Sequence, residues 1–140
     1  NGRPLVTVVA DARHPPVAGA DAVLLDVPCS GTGPRARHPD ARWRLTEASV
    51  HDLAELQGRM LSAAAEVVAP GGLLVYSTCT LEPEENEGRV DAFLAERDDF
   101  RVEATEAVPG EYLDPEGRLF VTPHDSGFDG AFAARLRRRA

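Results

Sequence analysis

Cys29 and Cys79 are the only two thiols in the chain, and each stands just past a short apolar run. The first run, Ala22 to Leu25, leads into Asp26-Val27-Pro28-Cys29-Ser30-Gly31-Thr32-Gly33, which gathers an acid, a proline, a thiol and two glycines in one turn. The second, Leu73-Leu74-Val75-Tyr76, leads into Ser77-Thr78-Cys79-Thr80. A thiolate is a useful nucleophile toward an electron-poor carbon, provided that a lowered pKa or a nearby base produces it. An acid alongside, here Asp26, can stabilise charge that develops on a substrate, as general acid or hydrogen-bond partner. Either cysteine taken alone reads more readily as packing than as a nucleophile, because free cysteine is among the most buried residue types.

Both apolar runs lack polar alternation, the pattern of strands covered on both faces in a parallel sheet. Loops leaving the carboxyl ends of successive parallel strands become neighbours across one helix, at the edge where open α/β sheets bind ligands. The connecting helix is legible. Thr46 or Ser49 can cap it, and Leu53, Leu56, Met60, Leu61, Ala64, Val67 and Val68 recur at three- and four-residue spacing until Pro70-Gly71-Gly72 stops it. Pro83 suits the start of a second helix, with Glu84, Glu85 and Glu87 on its positive end and Val90, Phe93 and Leu94 on its buried face. Val6 to Val9 reads as an earlier strand, and Phe100 to Val102, Leu119 to Thr122 and Ala131 to Leu136 as later ones. The expected fold is α/β, a doubly wound and mostly parallel sheet with an antiparallel C-terminal edge.

A chain of 140 residues is the size of one domain. It has no apolar segment near the ~20 residues that span a bilayer and no signal-peptide pattern, so no membrane partner is expected and a cytoplasmic location is the default. Two cysteines make no disulfide framework, and neither has a second cysteine close by to form a zinc-ligand pair. The net charge of -8 argues against non-specific coating of nucleic acid and leaves a local basic site open. Arg35, Arg37, Arg42 and Arg44, with His38 and Trp43 among them, suit phosphate contacts and base stacking, or form a solvated loop.

Two motif matches are set aside. Gly31-Thr32-Gly33-Pro34-Arg35-Ala36 spells a dinucleotide-binding string, but Pro34 and Pro39 oppose the helix that should begin there. The same prolines oppose a cysteine phosphatase built on Cys29 and Arg35, which would also leave Cys79 unexplained.

The two cysteine motifs in this order, with Pro83-Glu84-Glu85-Asn86-Glu87 behind the second, resemble the RNA cytosine-C5 methyltransferases of the Sun (rRNA methyltransferase B) family. The resemblance runs from Val8-Val9-Ala10-Asp11-Ala12-Arg13, through Arg42-Trp43-Arg44, to Asp129-Gly130-Ala131-Phe132. It implies a Rossmann-like fold dependent on S-adenosylmethionine, RNA (ribosomal RNA first) as partner, and no metal. By resemblance Cys79 would add to carbon 6 of a flipped cytosine, and Cys29 would help release the methylated product. Asp26 would hold the pyrimidine edge and the methionine end of the cofactor, and Asp11 would contact the cofactor near its adenosine. Pro28, Arg42, Trp43 and Arg44 would line the substrate, and Asn86 would order the Cys79 loop. The family's glycine-rich cofactor loop has no counterpart before Val6, so residues 1–140 are expected to form the C-terminal portion of a class I methyltransferase catalytic domain with its cofactor-loop strands missing. Two expectations follow: self-association through an open sheet edge, and, as the alternative to an enzyme, a non-catalytic piece with residual RNA or partner binding.

Overall fold

The protein was analysed as a computed structural model that describes residues 6–34 and 45–140. Among the described residues, five strands and three α-helices follow in the order β1 (Ala20–Asp26), α1 (Glu47–Val67), β2 (Val68–Thr78), α2 (Glu87–Glu96), β3 (Phe100–Val102), β4 (Leu119–Val121), α3 (Pro123–Ser126) and β5 (Ala131–Arg138). They build a mixed open α/β sheet of order β1-β2-β5-β3, with β4 pairing the other half of β5. β1 and β2 are parallel, with Ala22 to Asp26 opposite Leu73 to Ser77. β5 then runs antiparallel to β2, β3 and β4, which forms the expected antiparallel edge.

Helix α1 is the crossover between the two parallel strands. Thr46 and Ser49 close a reciprocal capping box: the Ser49 amide donates to Thr46 Oγ1 at 3.1 Å and the Thr46 amide to Ser49 Oγ at 2.9 Å. The helix stops at Val67, and β2 slips register against β1 across Pro70-Gly71-Gly72 before settling. Both α1 and α2 contribute to one core with the sheet: Leu25, Met60, Leu61, Leu74, Tyr76, Val90, Phe93, Phe100, Phe132 and Leu136.

Two local expectations are corrected. Val6 to Val9 is not a strand but irregular, exposed chain, because β-branched residues make a strand only where a neighbouring strand satisfies their backbone, and none pairs with them among the described residues. The second helix begins at Glu87 rather than at Pro83. Residues 83–86 form a turn in which the Pro83 carbonyl accepts from the amides of Asn86 and Gly88, at 3.2 and 2.9 Å. Glu85 is therefore not on a solvated first turn; it is buried.

Candidate active site: two thiols at the sheet edge

Because Asp26 and Ser77 are partners at the ends of parallel strands, the loops that follow leave the sheet side by side. Cys29 Sγ and Cys79 Sγ stand 3.4 Å apart, and the Cys79 amide also donates to Cys29 Sγ at 3.4 Å. Both are free thiols. Their surroundings differ. Cys79 is exposed, whereas Cys29 is half-buried, and burial pushes its thiol up from 9.0 to about 11. The amides of Cys79 and Gly31 oppose that shift without cancelling it. Cys29 is thus a neutral thiol near neutral pH.

Asp26 is exposed at the end of β1 and accepts from Ser77 Oγ at 2.9 Å. Pro28 is exposed too, and its carbonyl accepts from Gln57 Nε2 at 2.9 Å, which ties the loop to α1. Behind the thiols the loops are joined directly. The Gly33 amide donates to the Cys79 carbonyl at 3.0 Å, and the Gly130 amide to the Gly33 carbonyl at 3.3 Å. Gly33 is required there, because a Cβ would lie 2.3 Å from Gly130 O and 2.8 Å from Cys79 O.

A layer of hydroxyls follows. Thr80 Oγ1 lies 2.7 Å from Ser30 Oγ and 2.9 Å from Thr32 Oγ1, and Thr32 Oγ1 accepts from the Leu81 amide at 2.8 Å. Asn86 orders the Cys79 loop from below, its Nδ2 donating to the Thr80 carbonyl at 3.0 Å while its Oδ1 accepts from Thr78 Oγ1. Tyr76, whose buried phenol is held protonated, donates to the Glu85 carbonyl at 2.6 Å.

The structure therefore brings Asp26, Pro28, Cys29 and Cys79 to one edge. Asp11 is placed elsewhere in its contacts: its carboxylate is engaged by Arg13 at 2.6 to 3.0 Å, and this hydrogen bonding drives it well below the ordinary carboxylate range. Arg13 and His14 line a cavity of about 680 Å³ with Glu55, Arg59 and Arg89 of the helices. Arg42, Trp43 and Arg44 lie outside the described residues. Sequence reasoning missed Gln57, Thr32, Thr80 and the inward turn of Glu85. For Gln57 a signal existed, since it occupies a core position of α1 seven residues after Val50 and four before Leu61.

A profile of the family described as "16S rRNA methyltransferase RsmB/F" matches residues 3–137. The chain is similar to the probable ribosomal RNA small subunit methyltransferase B of Synechocystis, with 45% identity over 132 residues, 89% of this chain and 28% of that protein. The ribosomal RNA small subunit methyltransferase B of Thermus thermophilus is 42% identical over 135 residues, 91% of this chain and 32% of its own length. Among solved structures, that of NSun6 from Pyrococcus horikoshii with SFG superposes with a TM-score of 0.81 at 32% identity, covering 95% of this chain and 34% of that one. The chain thus spans about a third or less of each of these proteins.

Proposed function

Because this chain belongs to the 16S rRNA methyltransferase RsmB/F family, we propose that its two thiols act in turn during transfer of a methyl group from S-adenosylmethionine to carbon 5 of a cytosine in RNA, with ribosomal RNA as the substrate class. The observation that carries this reading is the 3.4 Å approach of Cys29 and Cys79 at the sheet edge where β1 ends on Asp26.

Carbon 6 of a cytosine is electron-poor, and a sulfur that adds there forms a C6–S bond while the ring's electron pair moves toward carbon 5. Cys79 is the better placed thiol for this addition, being exposed, whereas Cys29 is protonated near neutral pH and so lacks the thiolate that attack requires. Asp26 at the strand end accepts hydrogen bonds from the pyrimidine edge as charge develops in the ring. After methylation, restoring the ring requires loss of the proton on carbon 5 and cleavage of the C6–S bond. Cys29, a neutral thiol in contact with Cys79, gives its proton to the departing Cys79 sulfur and takes the carbon 5 proton in its place, so that the ring is restored and both cysteines end as thiols.

S-adenosylmethionine would supply an electrophilic methyl group to this site. The relative from Pyrococcus horikoshii was solved with SFG, an analogue of that cofactor. Asp26, exposed and acidic, fits the positively charged methionine end. Asp11 fits the adenosine end only if the cofactor displaces Arg13 from its carboxylate. Pro28 would flank the base, and Arg42, Trp43 and Arg44 would hold the flipped nucleotide and its phosphates.

The test is a denaturing gel of the protein with ribosomal RNA and S-adenosylmethionine. Cys29→Ala should retain a covalent RNA adduct and Cys79→Ala should form none. An adduct with Cys79→Ala would overturn the roles, and no adduct with Cys29→Ala under conditions where calorimetry shows cofactor binding would overturn the mechanism.

A further inference from the structure

Glu85 is 0% exposed, yet the chemistry above makes no use of it. A carboxylate removed from water is costly unless charges or hydrogen bonds compensate. Among the described residues no basic side chain forms an ion pair with it. Donors from three different elements meet it instead. The Ser30 amide, in the loop after β1, lies 2.9 and 3.3 Å from its two oxygens. Gln57 Nε2, from α1, lies 2.7 Å away, and Thr80 Oγ1, in the loop after β2, 3.4 Å away.

Ser30 follows Cys29, and Thr80 follows Cys79. We propose that Glu85 is a positioning residue for the thiol pair: by accepting from the Ser30 amide and the Thr80 hydroxyl at once, it holds the two loops at the spacing where their sulfurs touch. The inference rests on the reading of the thiols as partners in one reaction, but its consequence can be measured without RNA or cofactor, so the two can fail separately.

The site requires an acceptor-only group. Gln57 Nε2 donates both to Glu85 and to the Pro28 carbonyl. The short bonds from Ser30 and Gln57 both end on Oε2, while Oε1 takes the longer contacts from the Ser30 amide and the Thr80 hydroxyl. A glutamine with its oxygen at Oε2 would set an N–H against the Ser30 amide at Oε1, and one turned over would set it against both Ser30 and Gln57, donor to donor. Turning Gln57 over would relieve that clash only by facing its oxygen toward the Pro28 carbonyl. An aspartate, one methylene shorter, would not reach the Ser30 amide and Gln57 together.

The experiment equilibrates the 140-residue chain with mixtures of glutathione and glutathione disulfide at pH 8, then alkylates and counts free thiols by mass spectrometry. Closing the Cys29–Cys79 bond gives up two electrons and two protons to one glutathione disulfide, which becomes two glutathiones. The equilibrium constant therefore reports how closely the two thiols are held. Circular dichroism on the same samples reports folding. Wild type should form the intramolecular disulfide. Glu85→Gln and Glu85→Asp should lower the constant at least tenfold, about 30 mV for a two-electron couple, while Glu84→Gln on the exposed neighbour stays within twofold. If Glu85→Gln does not fold, Thr80→Val removes the Glu85 contact to the second loop together with the Thr80 contacts to Ser30 and Thr32, with little change of shape, and should lower the constant severalfold, and Thr80→Ser should restore it. A constant unchanged within twofold in a folded Glu85→Gln or Thr80→Val variant overturns the proposal. So does a wild-type pair that never closes, because the contact would then not exist in solution, and so does failure of both variants to fold, which would make these residues supports of the fold alone.

Discussion

Gly33→Ala measures how tightly the two thiol loops are clamped. The added Cβ would lie 2.3 Å from the Gly130 carbonyl oxygen, 2.8 Å from the Gly130 carbonyl carbon and 2.8 Å from the Cys79 carbonyl oxygen, where ordinary contact begins at 3.4 Å. All three are backbone atoms, so no side chain can swing aside. Relief means parting the segments by roughly 1 Å, and Gly33 is hydrogen-bonded to both of them. Overpacking of this kind costs about 1–3 kcal/mol, and each weakened hydrogen bond adds about 1 kcal/mol. The sum, about 2–5 kcal/mol, is a large share of the ~5–15 kcal/mol that holds a domain together. Gly31→Ala is the control. Its φ of +65° disfavours alanine, but nothing lies within 4 Å of the new Cβ, so its cost stays at the ~1–2 kcal/mol of a left-handed residue. Urea denaturation under reducing conditions compares the two. With a slope of about 2 kcal/mol/M, the middle of the usual range, Gly33→Ala should lower the midpoint by about 1–2.5 M and about twice as far as Gly31→Ala. A Gly33→Ala midpoint at the wild-type value, or no lower than that of Gly31→Ala, refutes the clamp.

Two further outcomes concern charge and association. Burial raises the Cys29 thiol from 9.0 to about 11, so the stability it contributes is fully present below about pH 9 and lost as pH rises through about 11. Wild type should lose stability relative to Cys29→Ser over that window, and alkylation of Cys29 by iodoacetamide in a Cys79→Ser chain, which keeps the burial but not the Cys79 thiol, should have its midpoint above pH 9; a midpoint near 9 would remove the burial argument. At the other side of the sheet, β1 is paired only with β2 among the described residues, and Leu24 on it is 72% exposed. An unpaired edge is a template for another chain, so light scattering should give a mass that rises above 15.0 kDa with concentration and falls back in Leu24→Lys. A monodisperse monomer at every concentration would show that the edge is silent.

The meeting of the thiols was legible in the sequence because two apolar strand runs joined by one helix place their loops together, although β1 is not covered on both faces as its unbroken apolar run suggests: Ala22 and Leu24 are exposed. Asn86 was legible only through the family resemblance, as the middle residue of the Glu85-Asn86-Glu87 string behind the second loop. Glu85 was not. Its position after Pro83 is that of a helix first turn, and only the folded chain shows that the Pro83 carbonyl is spent on a turn, so that the helix starts at Glu87, four residues after Pro83, and the carboxylate is buried. Val6 to Val9 failed in the opposite sense, since a strand is a property of a pair and a single run cannot show whether its partner is present. The antiparallel edge was read within two residues at each boundary because Asp129-Gly130 and Pro109-Gly110 punctuate it.

The spacing of the two sulfurs follows from register and loop length together. Asp26 faces Ser77, so Cys29 lies three residues beyond its strand-end partner and Cys79 two. Parallel strands stand about 4.8 Å apart, yet the sulfurs approach to 3.4 Å, so the longer loop has to turn back by the length of its extra residue. Pro28, whose ring fixes φ, and Gly31 at φ +65° make that turn. The proposed reaction, in which one sulfur takes a base and the other releases it, would tolerate little drift, since a misplacement of about 1 Å can cost about a hundredfold in rate. That requirement accounts for the division within the site. Ser30, Thr32, Thr80, Glu85, Gln57 and Tyr76 form a closed network behind the thiols, drawn from both loops, α1 and β2, where it fixes distance. Asp26 and Cys79 stay exposed at the sheet edge, where a substrate has to reach them.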